Sequence, residues 1–221
     1  GDDIYLTIDD NIQMFTEQAM NTLEGGKPEW ATISVVNAKT GEILGVSSSP
    51  SFNNNTLEIK SYYDPFVAYE YEPGSTMKFY SFMAAIDTGN YNGSDLYDSG
   101  NIVVDDYVIS DWNRKGWGKI SYDVGFTYSS NVAAVKLAEK VGKDKLVEYY
   151  EKFGFGSKTG IELSNELSGK LDFFYKSELA SASYGQGITT TPIQNIQALT
   201  SISNKGIVLK PYIVEKIVDP N

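Results

Sequence analysis

The sequence has 221 residues, of which 41% are hydrophobic, so it can bury the core of one large domain or two small ones. It contains no histidine and no cysteine, which excludes disulfides and thiolate metal sites and argues against catalytic zinc and Ser-His-Asp chemistry. The net charge of −11, with Arg114 as the single arginine, argues against a nucleic-acid partner because phosphate binding requires clustered basic residues.

The N-terminal residues predict a strand, a helix and a hairpin. Alternation over residues 3–7 indicates a short strand, and Asp9 or Asp10 caps a helix that ends at a Gly-Gly pair. The apolar residues spaced three and four apart along this helix are Ile12, Phe15, Ala19 and Leu23. Two strand-like runs, residues 31–36 and 42–46, flank a turn and predict a hairpin that begins an antiparallel sheet.

The next segment leads into a helix that is apolar on nearly every face. We expect a polar loop over residues 47–55 and an approach segment over residues 56–67, with aromatic anchors at Tyr62, Tyr63 and Phe66. Pro73 and Gly74 then interrupt regular structure, and a buried helix runs to Thr88 and Gly89. The apolar residues of this helix are Met77, Phe79, Phe82, Met83, Ala84, Ala85 and Ile86.

Ser75 and Lys78 stand at the start of that helix, and Ser75 is the only serine with a lysine three positions later. Residues at this spacing share one helix face, with Cβ atoms roughly 5–6 Å apart. Lys78 can therefore act as the base for a nucleophilic Ser75 if burial lowers the pKa of its amine from about 10.4 toward roughly 7–8. The structural alternative is that Ser75 caps the helix and Lys78 is a solvated first-turn residue.

The second half of the chain predicts mainly helices. Residues 102–109 indicate a small hairpin, and Trp112 and Trp117 follow it in a loop. Helices are predicted at residues 120–128, 131–141, 145–153, 177–184 and 192–203, with a loop over residues 154–169 and a strand-like run over residues 207–218. The residues expected to point inward are Val124 and Phe126 in the first of these helices and Ile193, Ile196, Leu199 and Ile202 in the last.

Ser129, Ser130 and Asn131 form a second motif, which opens the apolar helix at residues 131–141. The pattern Ser-x-Asn also occurs at residues 51–53 and 99–101, but both copies fall in predicted loops without a helix to hold their side chains. The hydroxyl of Ser129 could relay a proton between Lys78 and a leaving group. The amide of Asn131 could fix Lys78 and hold a substrate carbonyl. The structural alternative is again a helix cap.

Six ordered blocks, which include both motifs, cover essentially the whole chain. They are YLTIDDNIQ, NAKTGEIL, YEPGSTMK, YSSNVAAVKLAEKVG, FGFGSKTGIEL and SYGQGITTTPIQ. Together these blocks resemble the class B transpeptidase domain of penicillin-binding proteins, of the cell-division type, a family whose signatures include Ser-x-x-Lys. The resemblance implies an α/β (α+β) fold of the penicillin-binding/β-lactamase-like type, with an antiparallel sheet and a mostly helical subdomain.

The resemblance also implies an activity and a role for each motif residue. Ser75 would attack the penultimate D-alanine carbonyl of a peptidoglycan stem peptide, with Lys78 as general base and the Ser75 amide as half of an oxyanion hole. Ser129 would relay a proton to the leaving D-alanine, and Asn131 would position the substrate. An amine of a second stem peptide would then take the acyl group, and β-lactams would trap Ser75 as an acyl-enzyme. The further substrate-binding residues are Ser130, Gln186, Gly187 and Trp112.

Some residues near these motifs keep a structural alternative. The glycines of the loop at residues 184–187 allow close backbone approach to a site, but they fit a plain turn before a helix equally well. Trp112 and Trp117 could line a substrate groove, although packing a loop is the commoner role of a partly buried aromatic side chain. Glu162 and Glu166 are expected to be structural and not deacylating carboxylates.

The family's third motif, Lys-Ser/Thr-Gly followed by a small residue, is missing. The copies at residues 39–41 and 158–160 are rejected because Glu42 and Ile161 follow their glycines. We therefore expect a fragment: residues 1–65 as the start of the sheet subdomain, residues 66–203 as the mostly helical subdomain and residues 204–221 as the start of the closing strands. The missing C-terminal segment would complete the domain, and the fragment alone is expected to be inactive.

The expected partners are peptidoglycan stem peptides, β-lactams and cell-division membrane proteins, with no metal, cofactor or nucleic acid. The expected location is the outer face of the cytoplasmic membrane, with an N-terminal anchor outside this sequence, because no apolar run reaches the ~18–20 residues of a membrane span. Two other functions remain open, a penicillin-sensing receptor domain and a catalytically silent division scaffold. Carboxypeptidase or β-lactamase activity is a narrower rival within the enzyme class.

Overall fold

The computed structural model describes residues 1–52, 55–56 and 61–219. These residues form two compact units, each assembled from separate stretches of the chain. Unit 1 contains Gly1–Tyr71, Phe153–Gly169 and the described residues from Thr190 onward, and unit 2 contains Glu72–Lys152 and Lys170–Thr189. The division predicted from the sequence has three consecutive parts, residues 1–65, 66–203 and 204–221, and it stays a prediction.

Unit 1 contains two antiparallel strand pairs and three helices. Its elements are β1 (Asp3–Leu6), α1 (Asp10–Glu24), β2 (Ala31–Val36), β3 (Ile43–Ser49), α2 (Pro65–Ala68), α8 (Pro192–Ser203) and β8 (Val214–Val218). Strand β1 pairs with β8, and β2 pairs with β3 in the predicted hairpin. Its core residues are Ile43, Phe66, Val67, Ala68, Ile161 and Ile193.

Unit 2 is mostly helical. Its elements are a 3-10 turn at Gly74–Thr76, α3 (Met77–Asp87), β4 (Leu96–Asp98), β5 (Asn101–Val104), β6 (Tyr107–Ser110), β7 (Lys119–Ser121), α4 (Tyr122–Thr127), α5 (Asn131–Val141), α6 (Lys143–Lys152) and α7 (Lys176–Ala182). Helix α3 packs on α5, and the small side chains of Ala84, Ala85, Ala133 and Ala134 are fully buried. Small residues allow two helix backbones to approach closely, so the two helices that begin with the motifs are held together.

The mixed helix and sheet composition confirms the predicted fold class, and both hairpins and all of the main helices lie where the sequence placed them. The C-terminal strand is shorter than predicted, since β8 covers only Val214–Val218. Among the described residues, no helix combines the length and the apolar character that crossing a membrane requires. The predicted loop over residues 47–55 lies partly outside the described residues, as does the approach segment over residues 56–67, and Ser47–Ser49 belong to β3.

In three helices the buried face differs from the apolar residues noted in the sequence: the inward residues predicted for α4 are exposed, and those predicted for α8 are buried only in part. In α1 the residues Phe15, Ala19 and Leu23 are exposed, whereas Thr16 and Met20 are buried. The hydroxyls of Thr16 and Ser47 share a hydrogen bond of 2.9 Å, which turns this polar face toward β3. In α4 the exposed fractions of Val124 and Phe126 are 37% and 38%, and the buried members are Tyr122 and Gly125.

In α8 the prediction is confirmed for Ile193, which is fully buried, and for Ile196, which packs against the core of unit 1, but Leu199 and Ile202 are exposed. Gln194 is fully buried as well. The amide nitrogen of Gln194 donates to the backbone oxygens of Ser157 and Ser168, both at 2.6 Å, which ties the helix to the loop at residues 154–169. Satisfying those buried oxygens decides which face turns inward. The predicted anchors Tyr62 and Tyr63 are exposed as well, whereas the predicted anchor Phe66 is fully buried.

In α3, the helix that follows Ser75, apolar residues also remain on the surface. Phe79 and Ile86 are 41% and 56% exposed, while Met77, Tyr80 and Phe82 are buried. The prediction of a helix buried on nearly every face is therefore too strong. One face is covered by the core of unit 2 and the opposite face is open.

Candidate active site

The first part of the site is the turn that carries Ser75. Gly74 adopts a left-handed φ of 57°, and a single 3-10 turn over Gly74–Thr76 leads into α3. Ser75 is exposed on this turn, whereas Lys78, one turn later, is only 4% exposed. The hydroxyl is accessible from solvent, while the amine reaches it from the interior.

The amine of Lys78 makes three short contacts. Its Nζ lies 3.2 Å from the Oγ of Ser75, 2.9 Å from the Oγ of Ser129 and 2.6 Å from the backbone oxygen of Ser129. A backbone oxygen can only accept, so one N–H of the amine is committed to it. In the neutral amine, a second N–H can donate to Ser129 while the lone pair accepts the proton of Ser75. The geometry therefore suits a base aimed at the Ser75 hydroxyl.

Burial lowers the pKa of Lys78 from 10.5 to about 8, and the negative charge of Asp111 opposes part of this fall. The mechanism is desolvation, which disfavours the charged ammonium. An amine with this pKa is partly neutral near neutral pH, as a general base must be. The solvated first-turn lysine of the structural alternative does not describe this residue.

Ser129 sits at a strained backbone position between two helices. Its φ is 54°, which places a side chain in the left-handed region that residues other than glycine rarely occupy. Its amide donates to Phe126 O at 2.9 Å, and the next amide, that of Ser130, donates to Gly125 O at 2.8 Å. Both the carbonyl and the hydroxyl of Ser129 face Lys78 as a result. Strain held by the surrounding structure is common at functional sites.

Ser130 supports this arrangement from behind. Its side chain is 1% exposed, and its hydroxyl donates to Asp111 Oδ1 at 2.8 Å while accepting from the amide of Ala133 at 3.0 Å. Ser130 is thus the N-cap of α5, and its hydroxyl is not accessible to a substrate. The resemblance implies a substrate contact by Ser130, whereas a side chain buried to this degree leaves its hydroxyl no free surface for one.

Asn131 is held by the last residue of β6. Its amide nitrogen donates to the backbone oxygen of Ser110 at 2.9 Å, whereas Lys78 is held by Ser129. The suggested role of fixing Lys78 is therefore taken by another residue. The side chain is half-buried, so it still adjoins the surface beside Ser129.

Trp112 covers the same region from the outside. The side chain is 70% exposed, its indole nitrogen donates to the backbone oxygen of Tyr128 at 3.0 Å, and its ring meets Trp117 edge-on at 6.0 Å. The Trp117 ring in turn packs against Tyr128 at 4.9 Å. These three aromatic residues pack together next to Ser129, with Trp112 and Tyr128 exposed and Trp117 half-buried.

The loop at residues 184–187 is packed directly against the turn of Ser75. Gly74 N donates to Gly185 O at 2.9 Å, and a Cβ added at Gly185 would lie 2.0 Å from Gly74 O. Gly187 N donates to the carboxylate of Glu72 at 2.8 Å, and Gln186 is exposed beside it. Close backbone approach, and not merely a turn, explains the glycine at position 185.

The rejected third-motif copies both belong to unit 1. In the second copy, the amide and the hydroxyl of Thr159 both donate to Glu166 at 2.6 Å, and Gly160 N donates to the same carboxylate at 3.0 Å. Glu166 is therefore a buried carboxylate that stabilises its own loop by accepting these hydrogen bonds. Glu162 accepts from the amide of Ile213 at 3.1 Å, which fits the predicted structural role.

Unit 2 thus brings Ser75, Lys78, Ser129 and Asn131 together, and it adds two residues that the motifs did not identify. Asp111 supports Ser130 from behind, and Glu72 fixes the loop at residues 184–187. Both lie outside the motif spacings. The nearest signal in the sequence was the placement of Asp111 directly after a predicted hairpin and directly before Trp112.

Comparison with known sequences gives one family and a set of longer relatives. Residues 31–221 match the model of the penicillin binding protein transpeptidase domain. Stage V sporulation protein D of Bacillus subtilis is 35% identical over the whole chain, which spans 36% of that protein. Peptidoglycan D,D-transpeptidase MrdA of Escherichia coli K12 is 30% identical over 97% of the chain, which spans 38% of that protein. The chain therefore covers little more than a third of the length of these relatives.

Comparison with solved structures identifies penicillin-binding proteins as well. Penicillin-binding protein 2X of Streptococcus thermophilus is 38% identical, with a TM-score of 0.89 over 99% of this chain and 34% of its own. Penicillin-binding protein 3 of Mycobacterium tuberculosis, solved with aztreonam, is 27% identical, with a TM-score of 0.89 over 100% of this chain and 51% of its own. The mixed helical and sheet fold seen here is the fold of these proteins.

Proposed function

This chain belongs to the penicillin-binding protein transpeptidase family, and from that membership we propose that it carries the serine acylation site of a peptidoglycan D,D-transpeptidase. The observation that carries the proposal is the position of one buried amine. Lys78 Nζ lies 3.2 Å from the hydroxyl of Ser75 and 2.9 Å from that of Ser129, with a pKa lowered to about 8 by burial. The relative MrdA bears the name of this activity, and penicillin-binding protein 3 was solved with a β-lactam.

In the proposed first step, neutral Lys78 takes the proton of Ser75 as the serine oxygen bonds to the penultimate D-alanine carbonyl carbon. The negative charge that develops on the carbonyl oxygen is met by the amide N–H of Ser75, one half of the oxyanion hole. As the tetrahedral intermediate collapses, the C–N bond breaks. Ser129 passes a proton from the Lys78 ammonium to the leaving D-alanine amine.

In the second step, the amine of another stem peptide attacks the carbonyl carbon of the Ser75 ester and forms the amide cross-link as the ester C–O bond breaks. The proton that this amine gives up passes through the same two residues to the departing Ser75 oxygen. A β-lactam takes part in the same first step. Its amide bond is part of a ring, so the amine that departs stays attached to the acyl group and Ser75 remains acylated. Asn131, Gln186, Gly187 and Trp112 are the proposed substrate-contacting residues. They adjoin Ser129 or the turn of Ser75 and are half-buried or exposed.

We propose further that the chain acts as part of a longer polypeptide and is inactive alone. The sequence lacks the third motif, whose lysine binds the substrate carboxylate and whose strand completes the oxyanion hole in the family. The chain spans only 36% of the length of stage V sporulation protein D. A polypeptide of 24.4 kDa with full transpeptidase activity would contradict this part of the proposal. The proposed location is the outer face of the cytoplasmic membrane, among division proteins, with an anchor elsewhere in the polypeptide.

The test uses the longest natural polypeptide that contains this sequence. It is incubated with a fluorescent penicillin and digested, and the labelled peptide is identified by mass spectrometry. An adduct on Ser75 that disappears in Ser75→Ala, but not in Ser94→Ala, supports the proposal. Ser94 is an exposed serine of the same unit whose hydroxyl bonds only locally to Asn92, so it controls for the substitution itself.

The same experiment separates the other functions. Absence of any adduct would favour the catalytically silent division scaffold. An adduct on Ser75 without cross-linking of stem peptides would favour the penicillin-sensing receptor domain. Rapid loss of the adduct to water indicates a carboxypeptidase or β-lactamase.

A further inference from the structure

Asp111 is a buried carboxylate that the proposed reaction does not use. It is 1% exposed and lies in the loop directly after β6. Its Oδ2 accepts from the amide of Gly100 at 2.8 Å, and its Oδ1 accepts from the hydroxyl of Ser130 at 2.8 Å and the amide of Val132 at 3.1 Å. A buried charge costs free energy unless such bonds satisfy it, so this residue demands an explanation.

Three consecutive residues, the last of β6 and the first two of the loop, bind the segment that leads from α4 into α5. The backbone oxygen of Ser110 accepts from Asn131, the carboxylate of Asp111 accepts from Ser130 and Val132, and the indole of Trp112 donates to Tyr128 O. These bonds bracket Ser129 on both sides. They fix the segment whose strained residue presents its hydroxyl and carbonyl to Lys78.

Asp111 also acts on Lys78 through its charge. Its negative charge raises the pKa of the amine, against the larger effect of burial. The residues bonded to the amine, Ser75 and Ser129, carry no charge. When Lys78 takes the proton of Ser75, a positive charge appears in a buried place, and a fixed negative charge behind it stabilises that state.

The tyrosines of the neighbouring elements stay neutral in the relevant range. Helices α5 and α6 pack on α3, and from α6 Tyr150 bonds Ser81 while Tyr149 bonds Asp87. Burial raises the pKa of Tyr150, and the bond to Asp87 raises that of Tyr149 to about 12. Behind α5, burial and the charge of Asp111 raise the pKa of Tyr97 to about 12. None of these tyrosines titrates near pH 8.

We propose that Asp111 is a positioning residue for acylation of Ser75. Acting through Ser130 and Val132, it holds Ser129 against the amine of Lys78, and it places a fixed negative charge behind that amine. This inference rests on the proposed function of the site. It adds to the motifs a residue that lies outside both of them and contacts no substrate.

The test measures the rate of acylation by a fluorescent penicillin between pH 6 and pH 10, in the longest natural polypeptide that contains the chain. Asp111→Asn keeps the size and one acceptor oxygen but removes the charge, and Asp106→Asn, at an exposed position of unit 2, is the matched control for net charge. We expect Asp111→Asn to lower the plateau rate by about tenfold or more and to move the midpoint of the pH profile to lower pH. Asp106→Asn should leave both unchanged.

Ser130→Ala cuts the link to Asp111 without changing the charge, so it should lower the plateau rate and leave the midpoint in place. Melting temperatures identify variants that do not fold. If Asp111→Asn does not fold, Ser130→Ala decides, and an unchanged rate in it overturns the proposal. A midpoint and rate in Asp111→Asn equal to those of Asp106→Asn also overturn it, although Ser75 is still acylated. A wild-type protein that is not acylated at all overturns the proposed function first and this inference with it.

Discussion

The amine of Lys78 lies 2.9 Å from the hydroxyl of Ser129, a residue whose backbone is held in a left-handed conformation with a φ of 54°. The contact joins the start of α3 to the start of α5. It therefore joins two motifs that are far apart in the sequence.

Replacing Ser129 by glycine should separate the function of the side chain from the strain of the backbone. Glycine adopts positive φ freely, so stability should stay the same or rise, by up to about 1 kcal/mol. The proton relay is lost, and acylation should slow by about 10²–10⁴-fold. Thermal unfolding and the acylation rate of the same preparation check both effects. A variant that keeps the wild-type rate would remove Ser129 from the mechanism.

Replacing Lys78 by methionine should show how much the buried amine destabilises the folded protein, because that contribution depends on pH. The pKa of Lys78 is lowered from 10.5 to about 8 in the folded protein. Between these values the unfolded chain binds more protons than the folded one, so wild-type stability rises with pH across this window and is flat below about pH 8. The full shift corresponds to about 3 kcal/mol at most.

Denaturant unfolding of both proteins from pH 7 to pH 10.5 measures the effect, because titrating tyrosines are common to both and cancel in the difference. As the pH rises above 8, the free energy of unfolding of the wild type should increase relative to that of Lys78→Met. Two curves that run parallel across the window would show that the lysine has an ordinary pKa.

Replacing Gly185 by alanine should damage the turn that carries Ser75. The new Cβ would lie 2.0 Å from Gly74 O and must displace backbone. Gly89→Ala is a matched control, because Gly89 also has a positive φ, 71° against 84° for Gly185, but has open space around it. Strain at positive φ costs about 1–2 kcal/mol in both variants, and overpacking adds about 1–3 kcal/mol in Gly185→Ala alone.

Unfolding free energies of the two glycine variants and their acylation rates check this prediction. Gly185→Ala should be the less stable variant and should acylate more slowly. Equal losses in both would mean that the loop at residues 184–187 can move away from the turn without consequence.

The sequence predicted most of the elements and the meeting of Lys78 with Ser75 and Ser129, because caps, glycines and apolar runs are local signals. It misjudged the inward face of α4 and part of that of α8, and it missed the polar residue that turns inward in α1, because periodicity shows that a helix has an apolar stripe and not what that stripe meets. In α1 and α8 the decisive contacts are polar, made by Thr16 to Ser47 and by Gln194 to two backbone oxygens. Tertiary hydrogen bonds of this kind leave no periodic trace.

Asp111 and Glu72 escaped the sequence analysis for a related reason. Each acts on a residue far away along the chain, Asp111 on Ser130 and Glu72 on Gly187. A carboxylate in a loop gives no sign of its partner until the fold brings the two together. Ser130 is the opposite case. Its place in a motif suggested a substrate contact, but its side chain is buried and caps α5.

The most direct test of the account is the pH dependence of Ser75 acylation by a penicillin in the longest natural polypeptide that contains this chain, followed by intact mass. With the pKa of Lys78 lowered to about 8, the rate should rise with pH to a plateau, with its midpoint near pH 8, and the rise should vanish in Lys78→Met. A rate that keeps climbing toward the ordinary lysine value of about 10.4 would contradict the claim that an uncharged amine activates Ser75. A profile without any rise would contradict it as well.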